Sequence, residues 1–281
     1  MNMLLEVLID AFLDSVKMVP FLFGAFLLLE FLEHRTEKMQ FFNKVGRAGP
    51  AMGALLGVLP ECGPPILAAN LFSGGIITLG TLVSVFLSTS DEAIVILLGD
   101  QGLSQDVVRI VITKLLIAVI AGYAVDLLYR KSPRAAVHKN ETFEHHGHHS
   151  SSIWKCALNH TVSIWIYLFI FNALLNMVLE MIGIQALSAY LLKDSFIQPV
   201  LTALIGLIPN CAASVVLTQL YMNSIINFAA LIAGLCTCTG LGCVVLFKTN
   251  KKAKDSARIV GLLYLISVAA GILLQFLMRV A

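Results

Sequence analysis

Residues 54–111 recur at 203–260 with a constant offset of 149 and no gap. Ala54, Leu55 and Gly57 return as Ala203, Leu204 and Gly206, and Pro60 and Cys62 return as Pro209 and Cys211. Asp106, Arg109, Ile110 and Val111 return as Asp255, Arg258, Ile259 and Val260. Apolar coincidences are cheap in a hydrophobic chain, but a Pro, a Cys, an Asp and an Arg held in one register are not. The duplication predicts two homologous halves facing each other around a shared centre, as in many membrane carriers.

Lipid is the solvent this composition calls for. Apolar residues are 58% of the 281 and charged residues 13%, against about 25% charged in soluble domains, so an all-α polytopic membrane protein is expected. The net charge of +2 gives no footing for nucleic acid, and Lys and Arg sit in short connecting runs, as topology signals do. Glu6, Asp10 and Asp14 stand where a cleavable signal peptide would need basic residues. Cys62, Cys211, Cys236, Cys238 and Cys243 all lie in apolar stretches and read as free thiols rather than disulfides.

About 20 apolar residues span a bilayer as a helix, and 12–32, 108–129, 157–183 and 259–279 fit as single spans. Between them lie 51–99 and 200–247, too long for one span and awkward for two. Loop charge decides the crossing pattern. Arg35, Lys38, Lys44 and Arg47 put 33–49 in the cytoplasm, as Arg130, Lys131, Arg134, Lys139 and Lys155 do for 130–155. The loop 100–106 carries two Asp and no base and reads as external, yet its equivalent 248–258 carries Lys248, Lys251, Lys252, Lys254 and Arg258. Equivalent loops on opposite sides imply an inverted structural repeat.

Each half then consists of three transmembrane helices, one of them broken, plus a re-entrant helical hairpin. The hairpins are expected at 51–73, turning at Pro60–Pro65, and at 200–221, turning at Pro209–Ala213. The broken spans are expected at 76–99 and 225–247. The domains are a first repeat at 1–131, a cytoplasmic His-rich linker at 132–155 and a second repeat at 156–281. A count of eight crossings in a parallel repeat would place the basic and acidic loops on one side, against the charge rule. Non-helical backbone at membrane depth needs protein or water to satisfy it, so the hairpin tips should meet near the midplane.

Three constellations could carry chemistry. Pro60-Glu61-Cys62 and its twin Pro209-Asn210-Cys211 place carboxylate, amide and thiol beside a freed carbonyl; the bland alternative is a kinked, packed helix. Ser88-Thr89-Ser90-Asp91-Glu92 interrupts an apolar segment, with Cys236, Cys238 and Thr239 at the equivalent place; the alternative is a helix that ends in water at Leu87. Oxygen ligands from Glu61, Asp91, Glu92, Ser88, Ser90 and Asn210 suit a hard ion such as Mn²⁺, whereas Cys62, Cys211, Cys236 and Cys238 suit softer metals or arsenic(III). In the linker, His145, His146, His148 and His149 form an accessory metal loop, or else a polar linker or tag-like scar.

Several ionisable residues are lesser candidates. Asp10, Asp14 and Lys17 share a helix face and are either a proton relay or an interfacial solvated face. Lys114 is expected to snorkel to the interface or to pair with Asp91 or Glu92. Asp106 with Arg109, and Asp255 with Arg258, read as local caps and i,i+3 ion pairs.

The paired Gly-x-x-Pro-x-Cys segments (Gly57 to Cys62, Gly206 to Cys211), the duplicated Asp-x-x-Arg starts and the central His-rich loop resemble the ten-transmembrane heavy-metal exporters. That family is variously described as manganese transporters or arsenic efflux proteins, and the resemblance covers nearly the whole chain. It implies export of a metal or metalloid across the bacterial inner membrane. Arsenical permeases carry a denser Cys motif than Pro60-Glu61-Cys62, which favours a divalent cation.

The expected function is therefore proton-coupled secondary export of a divalent metal cation, Mn²⁺ foremost, by a multi-pass inner-membrane protein. An arsenite or organoarsenical permease is the alternative. The metal is cargo and no resident cofactor is expected; lipid is the other partner, and a homodimer stays open. No nucleotide-binding motif is present, so ATP does not drive the cycle directly. A membrane enzyme acting on lipid pyrophosphates is an alternative of another class, but its tips would need Arg or Lys to hold phosphate, and these offer Glu, Asn and Cys.

Overall fold

The computed structural model describes residues 48–59, 63–89, 91–99, 104–129, 197–209, 211–250 and 253–280, with Val19, Phe23, Leu158, Thr161, Val162, Trp165, Ile166, Phe169 and Ile170. Only the backbone is described at Asp91, Glu92 and Cys211. Among the described residues every regular element is a helix. In chain order they are α1 (Gly49–Gly57), α2 (Gly63–Ser73), α3 (Leu79–Ser88), α4 (Asp91–Gly99) and α5 (Ser104–Leu128). A second set follows: α6 (Gln198–Gly206), α7 (Cys211–Met222), α8 (Phe228–Thr237), α9 (Gly242–Thr249) and α10 (Ala253–Val280).

Helix ends repeat at the offset of 149 read from the sequence. Adding it to 49–57 gives 198–206, and adding it to 79–88 gives 228–237, both of which are helix bounds. The reason is local. Thr78 caps α3 by accepting the Thr81 N–H at 3.2 Å, and its counterpart Asn227 caps α8 by accepting the Ala230 N–H at 2.8 Å. Pro50 and Pro199 stand in the first turns of α1 and α6, where a missing N–H is harmless.

The same register governs packing. In the first half α1, α3 and α5 pack on one another, and in the second α6, α8 and α10 do. Gly122 on α5 meets Gly80 O and Pro50 Cβ, so that a Cβ there would lie 2.8 and 2.9 Å from them. Gly271 on α10 meets Ala233 Cβ and Pro199 Cβ, at 2.6 and 2.9 Å. Small residues let the backbones approach closely, and hydroxyls bond across: Ser84 donates to Ala118 O at 2.7 Å, and Thr202 donates to Ala230 O at 2.7 Å.

Between the halves the packing is reciprocal. Helix α2 of the first half lies against α9 of the second, α7 of the second lies against α4 of the first, and α3 touches α8. Hydrogen bonds join α2 to α9 and α7 to the start of α5. Ser73 and Thr249 share one at 2.7 Å, and the Tyr221 hydroxyl donates to Asp106 Oδ2 at 2.9 Å.

Among the described residues three stretches are long and apolar enough to cross a membrane: Asp106–Leu128, Phe228–Thr249 and Ala253–Arg279. Of the most apolar window in each, 94% is buried in the middle stretch and 28% in the other two. Helices α8 and α9 are thus central, while α5 and α10 turn residues such as Leu116, Ile120, Ile272 and Phe276 outward, as lipid requires. The expected spans at 108–129 and 259–279 correspond to α5 and α10, and the expected interruptions in 76–99 and 225–247 fall at Thr89–Ser90 and Cys238–Leu241. The expected first spans of each half, apart from isolated positions, and the linker lie outside the described residues, with Asp10, Asp14, Lys17, His145, His146, His148 and His149.

Close packing at Gly271 and open space at Gly261 on the same helix give opposite expectations. Gly271→Ala should lower the thermal unfolding midpoint in detergent, through overpacking of about 1–3 kcal/mol. Gly261→Ala should hold or raise it, since Ala is favoured over Gly by about 1 kcal/mol in a helix. Equal midpoints for the two variants would contradict this packing.

Candidate functional site

The two helix interruptions define the centre of the molecule. Helix α3 stops because Thr89 turns to φ −55°, ψ 128°, while its N–H still reaches Val85 O at 3.1 Å. The Ser88 hydroxyl donates to Ser84 O and Val85 O at 2.9 and 3.1 Å, and that of Thr89 donates to Val85 O at 2.7 Å. Such hydroxyls compete with the main-chain ladder and favour a break. Helix α8 stops at the same register: Cys238 turns to φ −68°, ψ 89°, and its N–H bonds Gly234 O at 3.1 Å. Thr237 donates to Gly234 O and across to Ala203 O, both at 2.8 Å. Gly240 then takes φ 51°, a left-handed conformation that glycine adopts without strain.

A helix end leaves carbonyls without helical N–H partners and carries roughly half a negative charge. Lys114 of α5 meets two such ends. Its side chain is fully buried, at 0% exposure, and its Nζ donates to Thr89 O and, at 2.9 Å, to Leu235 O in the last turn of α8. One ammonium thus joins the C-terminal ends of interrupted helices from both halves. The expectation that Lys114 snorkels is corrected: it lies ten residues into a helix that begins at Ser104, about 15 Å along the axis, deeper than its stem can escape. The signal was in the sequence, since an ionisable residue inside a span is functional by default.

Other expected site residues distribute as follows. Ser88 lies at the α3 end, fully buried against Gly57. Asp91 and Glu92 are the first two residues of α4, and Cys211 is the first of α7. Cys236 and Cys238 are buried free thiols at the α8 break. Glu61, Cys62, Ser90 and Asn210 lie outside the described residues. Among the described residues no three His, Cys, Asp or Glu side chains converge as a metal site.

Several groups escaped the sequence reading. Asp126 of α5 accepts the Gly80 N–H at 2.8 Å and the Thr78 hydroxyl at 2.8 Å, fastening α5 to the start of α3. Thr239 donates to Cys243 Sγ at 2.8 Å inside the second break. The Asn70 amide Nδ2 on α2 is buried with no hydrogen-bond partner among the described residues. The ion pairs expected within Asp-x-x-Arg do form, at 3.6 Å for Asp106–Arg109 and 3.5 Å for Asp255–Arg258. Tyr221 on the first of these pairs is visible only once the halves are packed.

A family model described as “Putative, 10TM heavy-metal exporter” matches residues 1–185, about two thirds of the chain. The chain belongs to that family, and is a multi-pass membrane protein of the inner membrane, where such exporters sit. No curated protein and no solved structure matches it.

Burial of the thiols at 0% for Cys236, 4% for Cys238 and 7% for Cys243 sets an accessibility test. Single-cysteine variants retaining each of them should react slowly with a water-soluble maleimide in mild detergent and rapidly once denatured. Fast labelling of Cys236 in the folded protein would show that the α8 end is open to water.

Proposed function

We propose that this member of the heavy-metal exporter family exports a divalent metal cation, Mn²⁺ foremost, by proton-coupled secondary transport through a site between its halves. The observation that carries the proposal is the pair of interrupted, enclosed helices, α3–α4 and α8–α9, whose C-terminal ends meet at one point. Interrupted helices supply binding groups at membrane depth, with carbonyl ends suited to cations. The hard oxygen set of Asp91 and Glu92 follows two and three residues after Thr89 in the chain.

An inverted arrangement of the halves, with α1–α2 and α6–α7 as re-entrant hairpins, is supported by the opposite charge of the loops 100–106 and 248–258. In that arrangement Glu61 and Cys62 at one tip, and Asn210 and Cys211 at the other, complete the site from opposite faces. Rocking of one half against the other then exposes it alternately. The His-rich stretch His145–His149 would collect metal on the cytoplasmic side. Export rather than import follows from the family.

Arsenite is the second reading, favoured by one observation: the α8 break carries the free buried thiols Cys236 and Cys238 with Cys243 following, a soft donor set. Tolerance profiling of cells with and without the gene across Mn²⁺, Zn²⁺, Fe²⁺ and arsenite separates the two readings. In reconstituted vesicles, Glu61→Gln and Asp91→Asn are each expected to abolish metal-stimulated efflux while the protein stays folded. Wild-type rates in both would remove these carboxylates from the site.

A further inference from the structure

We infer that the Lys114 ammonium is a tethered cation that fills the cargo site of the empty carrier, so that the metal binds by displacing it and the carrier resets when it returns. The inference rests on the cation-export reading above and adds a residue and a step to it.

The argument begins with charge. Two helix C-termini contribute roughly half a negative charge each, together about one, and Lys114 brings one positive charge to that place. Two of its partners come from different halves, Thr89 O from the end of α3 and Leu235 O from the end of α8. An ammonium and a metal cation both seek such converging carbonyl oxygens, and at one place they exclude each other. Metal entry must therefore move the ammonium off at least one carbonyl. Its flexible four-carbon stem allows this without unfolding α5.

Packing alone does not ask for a lysine here. The repeat offers an internal control, because Lys114 plus 149 is Leu263, on α10, also at 0% exposure. At the equivalent place the fold is completed by a shorter, apolar side chain. The charge sits in one half only, in the half whose sequence also carries Asp91 and Glu92 just past the break, where the second half has Gly240 and Leu241. With a metal bound, carboxylates two and three residues past Thr89 in the chain would be available to it; with the site empty, the ammonium compensates the paired helix ends. On the metal-free return the exchanged protons neutralise the carboxylates and the ammonium neutralises the helix ends; a carrier without the lysine could still exchange metal for metal but would return with those ends uncompensated.

The test separates exchange from net export in vesicles that contain the purified full-length protein and are loaded with radiolabelled Mn²⁺. Wild type should release label both into Mn²⁺-free buffer and into buffer holding unlabelled Mn²⁺. Lys114→Leu, the residue the repeat itself uses, and Lys114→Gln should keep the exchange, lose net efflux into Mn²⁺-free buffer, and bind Mn²⁺ several-fold more tightly. Lys114→Arg, which keeps charge and donors, should retain net efflux. Wild-type net efflux in the Leu and Gln variants overturns the inference. So does loss of exchange together with net efflux, or failure of Lys114→Leu to fold, since each assigns the lysine to the structure. If wild type moves arsenite and not Mn²⁺, or moves neither, the cation-export reading itself fails and takes the inference with it.

Discussion

A helix that stops inside a membrane leaves carbonyls for which lipid has no donor, and each such group left bare costs several kcal/mol. This constraint shapes the centre of the molecule. The ends of α3 and α8 are closed first by their own residues, Ser88, Thr89 and Thr237, whose hydroxyls return to carbonyls of the preceding turn. Of the carbonyls at these ends, Thr89 O and Leu235 O are met from α5 by Lys114. Charge and carbonyls depend on one another. The ammonium is tolerable at 0% exposure because helix ends surround it, and those ends are tolerable because it is there.

Close approach of backbones makes that junction attainable. Gly57 lies against Ser88 and Val85, and its twin Gly206 lies against Gly234 and Thr237, so α1 and α6 press onto the last turns of the helices that break. Gly122 and Gly271 do the same for α5 and α10 at the opposite ends of α3 and α8. Side chains there would push α5 outward and carry Lys114 away from both carbonyls. The reciprocal packing of α2 on α9 and of α7 on α4 then holds the two halves together around the breaks.

Much of this was legible in the sequence. The duplication gave the register, and helix bounds follow it because the caps Thr78 and Asn227 and the prolines Pro50 and Pro199 recur at the same offset. The interruptions were legible because small polar residues sat inside apolar runs. Lys114 was the misjudged residue. Sequence spacing says how far a lysine lies from a helix end, but its partners come from residues 25 and 121 positions away along the chain, and only packing of both halves brings them together. Tyr221 on Asp106 was hidden for the same reason, being 115 residues distant. Of the polar and thiol groups expected at the tips, Glu61, Cys62 and Asn210 lie outside the described residues.

Where the halves differ is as informative as where they agree. Packing positions keep their character across the repeat: Ala54 and Ala203, Leu82 and Leu231, Ile110 and Ile259 are all buried apolar pairs. Apart from the ion pairs Asp106–Arg109 and Asp255–Arg258, ionisable positions do not. Lys114 stands opposite Leu263, Asp126 opposite Gln275, Glu61 opposite Asn210, and Asp91-Glu92 opposite Gly240-Leu241. The same helix packing is thus completed with charged side chains in the first half and with uncharged ones in the second. At the break where the first half carries Asp91 and Glu92 in its sequence, the second carries neutral residues flanked by the buried thiols Cys236, Cys238 and Cys243. A repeated scaffold with a one-sided charge set would suit the proposed single ion between the halves better than two ions at equivalent places, as the proposed alternate exposure requires.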